Sequence, residues 1–94
     1  MKLIRDKIPE IAKAKGEVMK LHVASEDEYS RLLVAKLIEE AHEYRLKPSA
    51  EELADILEVA RALSVQFGGI DVVEKIREKK ASERGGFSKK IVLE

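Results

Sequence analysis

The sequence has no cysteine, tryptophan, threonine or asparagine, and it contains a single glutamine. The lack of cysteine excludes disulfide bonds and thiolate metal sites. Long apolar runs are also missing, so the sequence has neither the hydrophobic stretch of a signal peptide nor a segment able to cross a membrane. We therefore expect a cytoplasmic protein without a membrane partner.

The formal net charge is zero, but the charges are unevenly distributed. Residues 26–58 carry ten acidic and four basic side chains, a net charge of −6, and the segments before and after them are each +3. Nucleic-acid binding requires a net basic face, so we expect no nucleic-acid partner. An acidic centre suits an anion that arrives with a divalent cation, and a solvated helix surface is the alternative. With 94 residues, the chain is expected to form a single domain over residues 1–94.

Two long helices are predicted, and each begins at a capping box, in which a serine is followed three residues later by a glutamate. Ser25 with Glu28 marks the first start, and Ser49 with Glu52 marks the second. Proline disfavours a helical residue before it, so the first helix should end before Pro48. The predicted ranges are about 26–46 and about 50–67.

The remaining elements are predicted to be short. Residues 7–15 form a helix, and Asp71 caps another helix over residues 72–83. Apolar residues at 18–24 and 89–94 predict a minor pair of β-strands. The fold class is therefore all-α, with a minor two-stranded β element.

The helices present more apolar surface than 94 residues can cover. Four side chains lie beside the predicted core faces and need a partner: Val34, Ile38, Leu57 and Val59. We therefore expect a homodimer or higher oligomer, in which antiparallel helices form a four-helix-bundle-type core.

Each long helix carries one pair of acids at the same border of its apolar face. On the first helix Glu40 lies roughly 60° and Glu43 roughly 120° from the centre of that face, and Glu52 and Asp55 have the same placement on the second. A short connection favours antiparallel packing, which would gather the four carboxylates around one point.

Four ionised carboxylates at one point repel each other unless protons or cations neutralise them. Oxygen ligands of this kind select hard cations such as Mg²⁺, Mn²⁺ or Ca²⁺. The alternative is that the acids are solvated at the helix edges and that Glu52 serves only as a capping residue.

Two acidic motifs resemble those of a known superfamily. Glu39–Glu43 and Glu52–Asp55 resemble the EExxE…ExxD motif of the MazG-like and phosphoribosyl-ATP pyrophosphohydrolase superfamily, the all-α NTP pyrophosphatases. The segments Lys2–Glu10 and Arg84–Phe87 look like a branch of small proteins in that superfamily. The resemblance covers nearly the whole chain.

The resemblance implies Mg²⁺-dependent hydrolysis of a nucleotide, with Mn²⁺ as an alternative ion, to a nucleoside monophosphate and pyrophosphate. It assigns the metal ligands to Glu40, Glu43, Glu52 and Asp55. Glu39 matches the first acid of the motif, where it could orient or deprotonate the attacking water. The spacer between the motif halves is shorter than in typical MazG domains, and the additional helices and aromatic residues that larger relatives use to hold a base are missing.

Basic residues outside the motif are candidates for phosphate contacts. Lys80 and Arg84 could bind the substrate, although a solvated basic helix end is the alternative. The polar segment Arg5–Lys7 either orders the N-terminus against the C-terminal tail or lines the site.

Two other functions remain open from the sequence. One is phosphoribosyl-ATP pyrophosphohydrolase of histidine biosynthesis, which shares the chemistry but not the substrate. The other is a non-catalytic helical dimerisation or regulatory module that keeps the acids for metal-linked stability.

Overall fold

The computed structural model describes all 94 residues, and every regular element in it is a helix. The elements are α1 (Ile8–Ala14), α2 (Glu26–Leu46), α3 (Ala50–Ser64), a short 3₁₀ helix (Val65–Phe67) and α4 (Ile70–Arg84). The all-α prediction is confirmed. None of the helices combines the length and the apolar character that crossing a membrane requires.

The chain divides into two compact units, residues 1–60 and residues 61–94. The first unit contains α1, α2 and most of α3, and the second contains the end of α3, the 3₁₀ helix and α4. The single domain expected over residues 1–94 stays a prediction. All the acids of the two motifs belong to the first unit.

The two long helices begin at the predicted serines. Ser25 has an extended backbone, and its hydroxyl oxygen accepts a hydrogen bond from the Glu28 amide at 3.2 Å. The Ser49 hydroxyl oxygen likewise accepts from the Glu52 amide at 3.1 Å. The glutamate side chains do not complete the boxes: that of Glu28 lies 2.9 Å from His22 Nε2, and that of Glu52 lies among other acids. Each cap therefore leaves its glutamate carboxylate available for other contacts.

The start of α4 corrects the prediction that Asp71 is its cap. The helix begins two residues earlier, at Ile70, and its N-cap residue is Gly69, which makes no side-chain hydrogen bond. Gly68 and Gly69 both have positive φ angles, +101° and +106°, a region that favours glycine. This turn sets where the helix can begin, and it places Asp71 in the first turn, where a negative charge suits the helix dipole.

The predicted β-strands at residues 18–24 and 89–94 are absent, because the structure contains no strand. Their apolar side chains are largely exposed instead, and Val18, Val23 and Leu93 each keep more than nine-tenths of their accessible surface. A two-stranded ribbon without a third element to pack against is only marginally stable in water. This is the physical reason why the two predicted strands do not form.

The buried core of the first unit is very small. Its buried apolar residues are Ala12, Leu33 and Val59, one from each of its helices. Val34, Ile38 and Leu57 are exposed, as predicted, whereas Val59 was wrongly expected to need a partner. Other large apolar residues are also exposed, among them Leu53 and, in the second unit, Phe67.

Candidate functional site

Three carboxylates converge where the chain reverses between α2 and α3. Glu40 lies almost two turns before the end of α2, and Glu52 and Asp55 lie in the first two turns of α3. These residues can meet only because the connection at 47–49 turns the chain back on itself. One carboxylate oxygen from each side chain lies within 4.8 Å of those of the other two, and all three residues are partly buried. We call this group the acidic triad.

The triad is a crowded set of negative charges. The pKa of the Glu52 carboxyl is raised above its usual value, first by partial desolvation and then by the charges of its neighbours. These neighbours are, in order of effect, Asp55, Glu40, Glu43 and Glu51. Like charges at short distance disfavour ionisation, and a bound cation would remove that penalty.

Basic side chains compensate two members of the triad but not the third. Lys36 Nζ lies 3.4 Å from a carboxylate oxygen of Glu40, one helical turn away, and Arg5 Nη2 donates a hydrogen bond to Asp55 Oδ1 at 2.7 Å. Glu52 forms no ion pair. The raised pKa of Glu52 agrees with this lack of a basic partner.

The first acid of the motif, Glu39, is held by two lysines. Its carboxylate lies 3.4 Å from Lys36 Nζ and 3.8 Å from Lys2 Nζ. Lys36 is therefore shared between Glu39 and Glu40, and its side chain keeps only 19% of its accessible surface. The shared lysine links the motif's first acid to the triad.

The structure brings together three of the four predicted metal ligands. Glu43, the fourth, is exposed and is not a member of the triad, but its charge contributes to the raised pKa of Glu52. Lys80 and Arg84 are exposed residues of the second unit, and their contact with a substrate stays a prediction.

Sequence reasoning did not identify Lys2, Lys36 or Arg5 as partners of the acids. Lys36 precedes Glu40 by four residues on the same helix, a spacing that predicts an ion pair and could have revealed it. Arg5 and Asp55 are 50 residues apart in sequence, so no local spacing rule connects them. The sequence alone shows Arg5 only as part of the polar segment Arg5–Lys7.

The first unit also contains an open groove of about 780 Å³ beside the N-terminal segment. Leu3 and Ile4 line it, together with residues 18–24 and the first turns of α2. The N-terminal segment therefore contributes apolar side chains to the groove, while Lys2 and Arg5 contact the acids of α2 and α3.

Comparison with known proteins identifies no relative: no family model matches the chain, and no curated protein or solved structure is significantly similar to it. The function has to be argued from the chemistry of the site.

Proposed function

We propose that the protein is a metal-dependent nucleotide pyrophosphohydrolase, which cleaves the α–β phosphoanhydride of a nucleoside triphosphate to give the monophosphate and pyrophosphate. The observation that carries the proposal is the acidic triad, in which carboxylates from two helices lie within 4.8 Å of one another. The donor set consists of carboxylate oxygens only, which suits Mg²⁺ or Mn²⁺.

In this proposal Glu40, Glu52 and Asp55 hold the ion, with Glu43 as an additional ligand. The five acids of the two motifs and the three basic side chains that pair with them leave a net charge of −2. A divalent cation would balance that charge. Mg²⁺ held by these residues would supply charge neutralisation for the phosphates and polarisation of a phosphoryl oxygen.

Glu39 is proposed to act on the attacking water. The water oxygen would form a bond to the α-phosphorus, its proton would pass to a carboxylate oxygen of Glu39, and the bond from that phosphorus to the bridging oxygen would break as pyrophosphate leaves. Lys36 supports this role because it contacts both Glu39 and Glu40, so the Glu39 carboxylate lies next to a member of the triad.

The decisive assay measures pyrophosphate release from a panel of nucleoside and deoxynucleoside triphosphates, with and without Mg²⁺. Glu52→Gln and Asp55→Asn keep the side-chain shapes but remove charge, so each should lower turnover on the order of a hundredfold or more. Glu43→Gln should also lower turnover if Glu43 is a ligand. Glu58→Gln is the matched control, because Glu58 is exposed on the same helix and forms no ion pair. Equal losses in Glu52→Gln and Glu58→Gln would contradict the proposed site.

The same panel separates the two alternatives. Including phosphoribosyl-ATP tests the biosynthetic enzyme, which would hydrolyse that substrate in preference to the triphosphates. A non-catalytic module would release no pyrophosphate from any nucleotide, while Mg²⁺ would still raise its melting temperature by binding only the folded state.

We also propose that a second copy of the chain covers the exposed apolar residues of α2 and α3. These are Val34, Ile38, Leu53 and Leu57. Residues separated by four positions lie on one helix face, so Val34 with Ile38 and Leu53 with Leu57 form two apolar stripes. The three buried apolar residues of the first unit are too few for a stable isolated core. Pairing of these stripes would give the four-helix-bundle-type core.

A further inference from the structure

Arg5 reaches the acidic triad from the start of the chain. Its Nη2 atom donates a 2.7 Å hydrogen bond to Asp55, and its side chain keeps 57% of its accessible surface. This is the only side-chain hydrogen bond that Arg5 makes, although a guanidinium has five N–H donors. Most of the N–H groups of its guanidinium therefore have no partner in the protein, and they lie beside the triad.

The backbone fixes the position of Arg5. Its carbonyl oxygen accepts a hydrogen bond from the Ile8 amide at 3.0 Å, in the turn that leads into α1. Leu3 and Ile4, immediately before it, are partly buried. Arg5 is thus carried by an anchored turn and not by a free chain end.

We propose that Arg5 binds a phosphate of the substrate at this site, an inference that rests on the proposed function. Asp55 cannot serve fully both as the partner of Arg5 and as a metal ligand. An exposed ion pair is weak, so exchanging Arg5 for a cation at Asp55 costs little. The guanidinium then remains beside the cation with its donors free, and its planar fork matches the oxygens of a phosphate.

The test compares Arg5→Gln, Arg5→Lys and the control Arg31→Gln, which removes an exposed arginine paired with Asp27 on α2. Calorimetry measures the affinity for inorganic pyrophosphate in the presence of Mg²⁺, and separately the affinity for Mg²⁺ alone. Arg5→Gln should bind pyrophosphate roughly tenfold to a hundredfold more weakly, as expected for a hydrogen bond to a charged group. Its affinity for Mg²⁺ should be unchanged or higher, because a competing cation has been removed from Asp55.

Arg5→Lys should restore part of the pyrophosphate affinity, because lysine keeps the positive charge but lacks the planar set of donors of a guanidinium. The inference is overturned if Arg5→Gln binds pyrophosphate as well as Arg31→Gln does. It is also overturned if Arg5→Gln loses pyrophosphate affinity, Mg²⁺ affinity and melting temperature together, because that pattern identifies a structural anchor.

These measurements distinguish an error in the role of Arg5 from an error in the proposed function. If the unchanged protein releases no pyrophosphate from any nucleotide but binds pyrophosphate through Arg5, hydrolysis is wrong and the phosphate contact stands. If the unchanged protein is active and Arg5→Gln matches it in both KM and pyrophosphate affinity, only the role of Arg5 is wrong.

Discussion

Two glutamates of the chain illustrate how the environment of a single residue sets its chemistry. In the second unit, Glu74 accepts hydrogen bonds from Arg77, and this contact holds the pKa of its carboxyl below the usual value. Glu52 has no basic partner, and desolvation and neighbouring acids raise its pKa. Ionised Glu52 is therefore a cost in the folded protein unless a cation offsets it.

That cost predicts a pH dependence of stability in metal-free buffer. Below the pKa of an unfolded glutamate, Glu52 is protonated in both states and imposes no penalty. As the pH rises from there through its raised folded pKa, the unfolded state loses the proton first, so Glu52 lowers the free energy of unfolding; above that window its effect is constant. Thermal unfolding across the acidic range should show this fall in the unchanged protein.

Glu52→Gln should remove this part of the pH dependence, and Glu58→Gln should retain it. Each variant's melting temperature is measured as a function of pH. Subtracting this profile from that of the unchanged protein isolates the contribution of one residue. Parallel profiles for the two variants would mean that the crowding at Glu52 has no energetic effect.

The helices differ in how well their bounds could be predicted. Those of α2 were correct because an N-cap serine and a nearby proline are local signals of a helix start and end. The start of α4 was wrong because a turn through two positive-φ glycines set it, and the strands were wrong because alternation of apolar residues says nothing about whether a partner exists.

The contacts of the candidate site differ in the same way: some follow from local sequence spacing, and others do not. The spacing of Glu40, Glu52 and Asp55 on their helices predicted that they meet, but it predicted the same of Glu43, which is not a member of the triad. The contact between Arg5 and Asp55 depends on the path of the chain between them, which no local pattern encodes.

Ser49, the N-cap of α3, is predicted to stabilise the helix that carries Glu52 and Asp55. Ser49→Ala removes the acceptor for the Glu52 amide and should cost about 1 kcal/mol of stability. For a chain of this size, that corresponds to a fall in melting temperature of roughly 4–8 °C. Thermal unfolding monitored by circular dichroism would measure it.

Two further variants sharpen this test. Ser49→Asn should retain most of the stability, because asparagine is also an effective N-cap and adds no charge beside the acids. Ser30→Ala is the control, since Ser30 is exposed in the interior of α2. A loss in Ser30→Ala as large as that in Ser49→Ala would show that the cap is not the cause.

At the scale of the whole molecule, the ratio of exposed to buried apolar residues is the dominant feature. Only three apolar residues are buried, whereas many large ones, including Ile38 and Leu57, keep about two-thirds of their accessible surface. Burying apolar surface is the main favourable contribution to folding and association. A single chain therefore gains little stabilisation from its exposed apolar residues.

We accordingly predict that the chain self-associates through α2 and α3. Light scattering at micromolar concentration should give a multiple of the mass of one chain, and Leu57→Glu should shift it towards one chain because a charge would be buried in the interface. Val92→Glu, an equivalent change in the exposed C-terminal tail, should leave the mass unchanged. A mass of one chain for the unchanged protein would contradict the prediction.

The three-residue connection between α2 and α3 also has a kinetic consequence. The acids that it brings together are only 12 to 15 positions apart, so the entropy lost in closing the intervening loop is small and they can meet early in folding. Their mutual repulsion then acts on the folding barrier as well as on the final state. The speed at which this part of the chain folds should therefore increase with ionic strength.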